Sequence, residues 1–220
     1  MNKFIFGAKS TTPANARLTN GYTLYDWAMR QNCFPAFWAR NISGENKITK
    51  EEIKFLQEKD CKIVPIFNDF TEEDIVKTNG ANDAFKAIDN IKDLGIPEKN
   101  NIAVIVEIKD DWSVNHNWMI SFAETLINNG YMPGFLGNTD SSLNFNFDRQ
   151  CSHYVNAGLN AIYCASKPEI LGEIGSWKPY APSSLSPEDI SLWQNKKLNL
   201  NGVEYYTVFA KDESILNYMW

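Results

Sequence analysis

The sequence predicts an α/β fold: a (β/α)8 TIM-type barrel, one compact domain over residues 1–220, with its sixth and seventh units degenerate. Three observations predict it. Eight short apolar runs alternate with amphipathic stretches along the chain. Several of those runs are continuous in Ile, Val and Phe instead of alternating with polar residues, as parallel strands buried on both faces read. Eight strands also close this type of barrel, although 220 residues lies near its short end. An open doubly wound sheet is the rival arrangement.

The strand candidates, in order, are Phe4–Ala8, Phe34–Ala39, Lys62–Phe67, Ile102–Ile108, Tyr131–Leu136, Ala161–Ala165, Ser191–Gln194 and Glu204–Phe209. Helical signals fall between them. Thr49-Lys50-Glu51-Glu52 forms a capping box ahead of Ile53 and Leu56. Asn82 to Leu94 carries Phe85, Ile88, Ile91 and Leu94 at helical spacing and ends in Gly95-Ile96-Pro97, a glycine stop followed by proline. Ser113 is placed to cap a helix bearing Trp118, Phe122 and Leu126, which stops at Gly130. Ser186-Pro187-Glu188-Asp189 joins an N-cap, a proline at the first helical position and first-turn acids. The interval from Tyr163 to Trp193 is poorly helical, which is why units six and seven read as degenerate.

Composition narrows the function. Hydrophobic residues make up 44% and charged residues 22%, the balance of a globular chain and not of a disordered one. Twenty-one Lys and Arg against 27 Asp and Glu leave a net charge of −6. That acidity argues against nucleic acid and against an anionic membrane surface as partners. No apolar run approaches the roughly 18 residues of a membrane span. Residues 1–10 hold a short apolar stretch between two lysines, which suits a buried first strand better than the longer apolar core of a signal peptide. Four cysteines, Cys33, Cys61, Cys151 and Cys164, lack metal-ligand spacing and have only His116 and His153 for company, so no metal is expected and the thiols read as small core residues. Phosphate-loop, dinucleotide, serine-hydrolase and zinc-protease motifs are all missing: Gly7-Ala8-Lys9-Ser10 has only the tail of a phosphate loop. No organic cofactor is expected either.

In such a barrel, chemistry gathers at the C-terminal strand ends. Those ends supply Lys9, Arg40, Asn68 with Asp69, Glu107 to Asp111, Asn138 with Asp140, Ser166 and Trp193-Gln194. Alternation along the fourth strand sets Ile105, Glu107 and Lys109 on one face, so an inward Ile105 carries Glu107 inward at the mouth. Glu107 then reads as the general acid or base of a glycosidase. Its second carboxylate would be Asp111, or else Asp110, Asp69 or Asp140. The competing reading pairs Glu107 with Lys9, Lys109 or Arg40 as a structural ion pair. Trp38, Trp112 and Trp193 stand at or just past strand ends, where their rings would either stack on sugars or pack beneath loops. Lys9, Trp38, Arg40, Asn68, Lys109, Trp112, Asn138, Trp193 and Gln194 are thus the candidate substrate-binding residues.

Several segments together carry a resemblance: Phe37-Trp38-Ala39-Arg40, LQEKDCKIVPIF from Leu56, GANDAFKAIDNIKDLGIPEKNNIAVIV from Gly80, GYMPGFLG from Gly130, and Leu192-Trp193-Gln194. In order and spacing they resemble a glycoside-hydrolase-like barrel family of unknown function, related in pattern to the family 25 lysozyme-type muramidases. The resemblance implies a barrel that cleaves or binds bacterial cell-wall glycan, with peptidoglycan or another polysaccharide as partner and a site of action outside the cytoplasm. It also implies Glu107 as the catalytic acid and Arg40, Trp193 and Gln194 as binding positions. The chain departs from the pattern in three places, one being the usual Asp near the last strand, for which Ala210-Lys211-Asp212 is the closest stretch. Gly7-Ala8-Lys9 places Lys where the first strand would close on Asp, and Ile105-Val106-Glu107 keeps only the Glu of an Asp-x-Glu. A cation at position 9 beside the lone acid favours the acid's charged form and opposes general-acid work. A glycan-binding or structural barrel without catalysis is therefore the alternative function, and an enzyme of another class on the same barrel is a third reading.

Overall fold

A computed structural model describes residues 4–98, 101–140, 147–169 and 175–220. Residues 1–3 of the amino-terminal stretch and residues 99–100 of the segment from Gly80 lie outside them. Eight strands close into a barrel in sequence order. They are β1 (Ile5–Lys9), β2 (Phe37–Asn41), β3 (Lys62–Phe67), β4 (Ala103–Glu107), β5 (Met132–Gly137), β6 (Ile162–Ala165), β7 (Leu192–Leu200) and β8 (Val203–Ala210). Helices α1 (Leu24–Arg30), α2 (Lys50–Glu58), α3 (Glu72–Ile75), α4 (Ala81–Leu94), α5 (His116–Asn128) and α6 (Phe147–Asn156) run between them. The open-sheet rival is excluded by closure of β1 on β8.

Local chemistry sets the helix ends. The Thr49 side chain accepts the Glu52 N–H and starts α2, and Gly95 ends α4 in the left-handed conformation at φ +82°. Two readings are corrected. Asn115, not Ser113, caps α5, because its side chain reaches the Asn117 N–H. The Ser186–Asp189 box is formed, but it holds a 3-10 turn over Pro187–Asp189 and no α-helix follows.

A larger correction concerns β8. Strands β1 to β7 pair in parallel, but β8 runs antiparallel to both β7 and β1. The turn is Asn201-Gly202, with φ +52° and +86°, the doubly positive geometry that tight hairpins require. A hairpin replaces the last crossover helix, so the barrel closes in fewer residues than a full set of βα units needs. Unit six likewise has no α-helix among the described residues between β6 and β7.

The strand register sorts side chains into two cores. Phe37, Ala39, Val64, Ile66, Ala103, Ile105, Leu136, Ile162, Cys164, Leu192 and Val208 fill the barrel. Trp38, Ile63, Phe67, Val104, Val106, Phe135, Trp193 and Tyr205 pack outward against helices and loops. The carboxyl-terminal 3-10 segment, Glu213–Tyr218, brings Ile215, Leu216 and Tyr218 against the inner core with Met219, and Trp220 exchanges two backbone hydrogen bonds with Ile63. That segment covers the N-terminal end of the inner core.

Gly7 makes room for the inner core: a Cβ there would stand 2.3 Å from the Phe37 ring. Gly7→Ala is expected to cost about 1–3 kcal/mol through overpacking, read as a lower urea midpoint at unchanged slope.

Candidate active site at the barrel mouth

Inward parity brings one residue from each of four strands to the open end: Lys9 of β1, Glu107 of β4, Gln194 of β7 and Tyr206 of β8. The Lys9 ammonium donates to Glu107 Oε1 and, at 2.9 Å, to Gln194 Oε1. It also sits 5.3 Å from the centroid of the Tyr206 ring. Burial, and behind it the charge of Glu107 among others, pushes the Tyr206 phenol above its ordinary value, so it stays neutral and able to donate. Below the quartet lies the apolar barrel interior; above it a cleft of about 240 Å³ opens, lined also by Lys109, Asp110, Ser166, Lys167, Glu169 and Asn195. The Lys9 side chain is 11% exposed and that of Glu107 32%, so a ligand meets the carboxylate first.

The structure gathers some of the expected residues here and removes others. Glu107, Gln194 and Lys109 line the mouth, and Lys9 lies just beneath it, bonded to Glu107 and Gln194. Lys109 is held with its ammonium 4.1 Å from the centroid of Trp112, a half-buried ring that also packs edge-on against Phe70. Trp112 therefore supports the cleft from behind. Asp110, and not Asp111, lines the cleft, while Asp111 is exposed outside it.

Five further expectations are corrected, each for the same reason: the side chain is engaged elsewhere. Arg40 and Glu52 are both fully buried outside the barrel wall, joined by two hydrogen bonds of 2.7 and 3.0 Å. The remaining donors of Arg40 go to the carbonyls of Ser10, Thr11 and Asn46, and Glu52 also accepts the Ala14 N–H. Arg40 is thus a structural clamp between β2, α2 and the loop after β1. Trp38 is fully buried beside Tyr25. Trp193 is fully buried edge-on to Trp177, with its indole N–H donating to the Pro168 carbonyl, and cannot stack on a sugar. Asn68 bonds Ser43 and ties the ends of β2 and β3 together away from the cleft. Asn138 is buried and accepts the Asp140 N–H, ordering the turn after β5.

Tyr206 and Asn195 were not among the expected site residues, and neither were Lys167 and Glu169, which form an ion pair on the rim. The signal for Tyr206 is Asn201-Gly202. A hairpin there reverses β8 and brings the first half of the run Glu204–Phe209 to the mouth.

No family model matches the sequence, and no curated protein does. An uncharacterised protein from B. stearothermophilus is similar over 98% of this chain and 100% of its own, at 23% identity and TM-score 0.81. A bacterial lysozyme from Streptomyces coelicolor matches over 99% of this chain and 97% of its own, at 9% identity and TM-score 0.56. A family 25 glycosyl hydrolase from Bacillus anthracis matches over 99% and 94%, at 13% identity and TM-score 0.51. The fold is similar to that of the family 25 glycosyl hydrolase. At these identities the likeness is one of fold alone.

Two expectations can be measured. Arg40→Ala should destabilise by about 3–5 kcal/mol because it strands the Glu52 carboxylate, whereas Arg40→Met with Glu52→Leu should recover most of the loss in urea unfolding. The thiols give the second. Cys61, Cys151 and Cys164 are buried, and burial raises all three, Cys61 to about 12. The folded protein should therefore titrate rapidly with a disulfide reagent at Cys33 alone, and at all four after denaturation.

Proposed function

We propose that this protein is a non-hydrolytic barrel that binds a bacterial cell-wall type polysaccharide, peptidoglycan foremost, at its mouth. The observation that carries this reading is the ammonium of Lys9, which takes the place of an acid and bonds Glu107 and Gln194 at the centre of the site. Two-carboxylate hydrolysis needs one carboxyl group that donates a proton and a second that supports water or the sugar cation. Here the first is occupied as an acceptor from Lys9. The cleft still suits a sugar: ammonium, amide, phenol and hydroxyl groups converge above an apolar floor, as in a site that orients a hydroxylated ligand. The fold shared with a lysozyme and a family 25 glycosyl hydrolase supports the ligand class.

Hydrolysis is the second reading, favoured by one observation: Asp110 lines the same cleft as Glu107. Glu107 would then protonate the leaving oxygen and Asp110 would assist.

Purified protein should co-sediment saturably with peptidoglycan and release no new reducing ends. Glu107→Gln should weaken binding about tenfold, equivalent to about 1.4 kcal/mol for a lost charge-assisted contact, and Lys9→Met should weaken it by releasing the Glu107 carboxylate it holds. Release of reducing ends by the wild type, abolished in Glu107→Gln, would instead establish the hydrolase.

A further inference from the structure

A second cleft, of about 330 Å³, opens on the same rim, lined by Thr139, Asp140, Tyr180, Leu185 and Pro187 among others. It shares a wall with the mouth. Lys167 lines the mouth, and its carbonyl accepts the Tyr180 N–H at 2.8 Å. On the other side Gly137 lines the mouth and Thr139 the second cleft, two residues and so at most about 7 Å of chain further on. The two clefts thus stand side by side, separated by a wall one chain thick.

The second cleft is built around an exposed ring on a held backbone. Tyr180 is 45% exposed, yet its backbone is held at both ends: the N–H by Lys167, the carbonyl by the Thr139 hydroxyl at 2.5 Å. Asp140 is placed next to it by the bond from its N–H to Asn138 Oδ1. Leu185, Pro179 and Pro187 supply apolar walls. An exposed aromatic face on an ordered backbone loses little freedom on stacking, and a neighbouring carboxylate accepts hydroxyl hydrogens. A hexose ring has the matching surfaces, an apolar C–H face and a hydroxyl edge.

We propose that Tyr180 and Asp140 form a second sugar subsite, which takes a further unit of the same polysaccharide chain whose first unit lies over Glu107 and Lys9. The inference rests on the mouth being a glycan site, and it adds that the protein recognises an oligosaccharide and not a single sugar.

Calorimetry with N-acetylglucosamine and its β-1,4-linked tetramer tests it. The wild type should bind the tetramer at least about tenfold more tightly than the monosaccharide. Tyr180→Ala should erase that increment and leave the monosaccharide affinity unchanged, while Tyr180→Phe, which keeps the ring, should retain it. Tyr180 is exposed, so circular dichroism of both variants should match the wild type. A full length-dependence in Tyr180→Ala would overturn the second subsite and leave the mouth reading standing. Wild-type binding of neither sugar, nor of peptidoglycan, would overturn the mouth reading and the subsite with it.

Discussion

Successive side chains on a strand point to opposite faces, and in a closed barrel that alternation decides which residues can ever meet a ligand. Odd-numbered positions on β1, β2 and β4 point inward, and even-numbered ones do so on β3, β5, β6, β8 and on β7 as far as Gln194. At the open end the inward positions include Lys9, Glu107, Gln194 and Tyr206. Shifting one residue along β2 or β7 meets Arg40 or Trp193 instead, and both are sealed outside the wall. The same rule thus builds the site and excludes the residues that most resemble one by type.

This division explains which parts of the molecule could be read from sequence. Strands with both faces buried announce themselves as continuous apolar runs, and all eight lie where those runs lie; β3 matches to the residue. The same continuity hides parity, because Phe37-Trp38-Ala39 is apolar on both faces. Only β4 revealed its direction, since it ends on an acid that has somewhere polar to go. For Arg40 the deciding partner, Glu52, lies twelve positions away on another element, where it also served as the acidic residue of an apparent capping box. The Asn201-Gly202 turn was legible, and it alone would have reversed β8 and put Tyr206 at the mouth.

Reversal of β8 has consequences beyond chain economy. In a parallel last strand, the residue paired with Lys9 would begin a connection to a helix. In the hairpin, Tyr206 pairs with Lys9 and the chain beside it belongs to the long β7–β8 ribbon, irregular between Gln194 and Lys197. That irregularity re-aims the ribbon past the mouth, where Leu200 joins the outer core and Asn201 bonds Thr19 near α1. One wall of the cleft is therefore rigid strand, ordered by ladder hydrogen bonds. The opposite wall is loop, made by the chain after β4 and after β6.

The chemistry of Lys9 follows from what lies beneath it. The space under its ammonium is about 20 Å³, walled by Phe37, Val64, Ile66, Ile105 and Leu136, and polar only at its upper end. A charge placed there cannot be hydrated from below and must find its counterion on the mouth side. Glu107, Gln194 and the face of Tyr206 provide a charge, an amide oxygen and a π surface in that half-space. The glutamate is consequently required by the lysine whether or not any bond is cut. Its position at the end of β4, which by itself would suggest a catalytic acid, is accounted for by the cation it neutralises. What it leaves for a ligand is the exposed side of a carboxylate already held in place, a fixed hydrogen-bond acceptor.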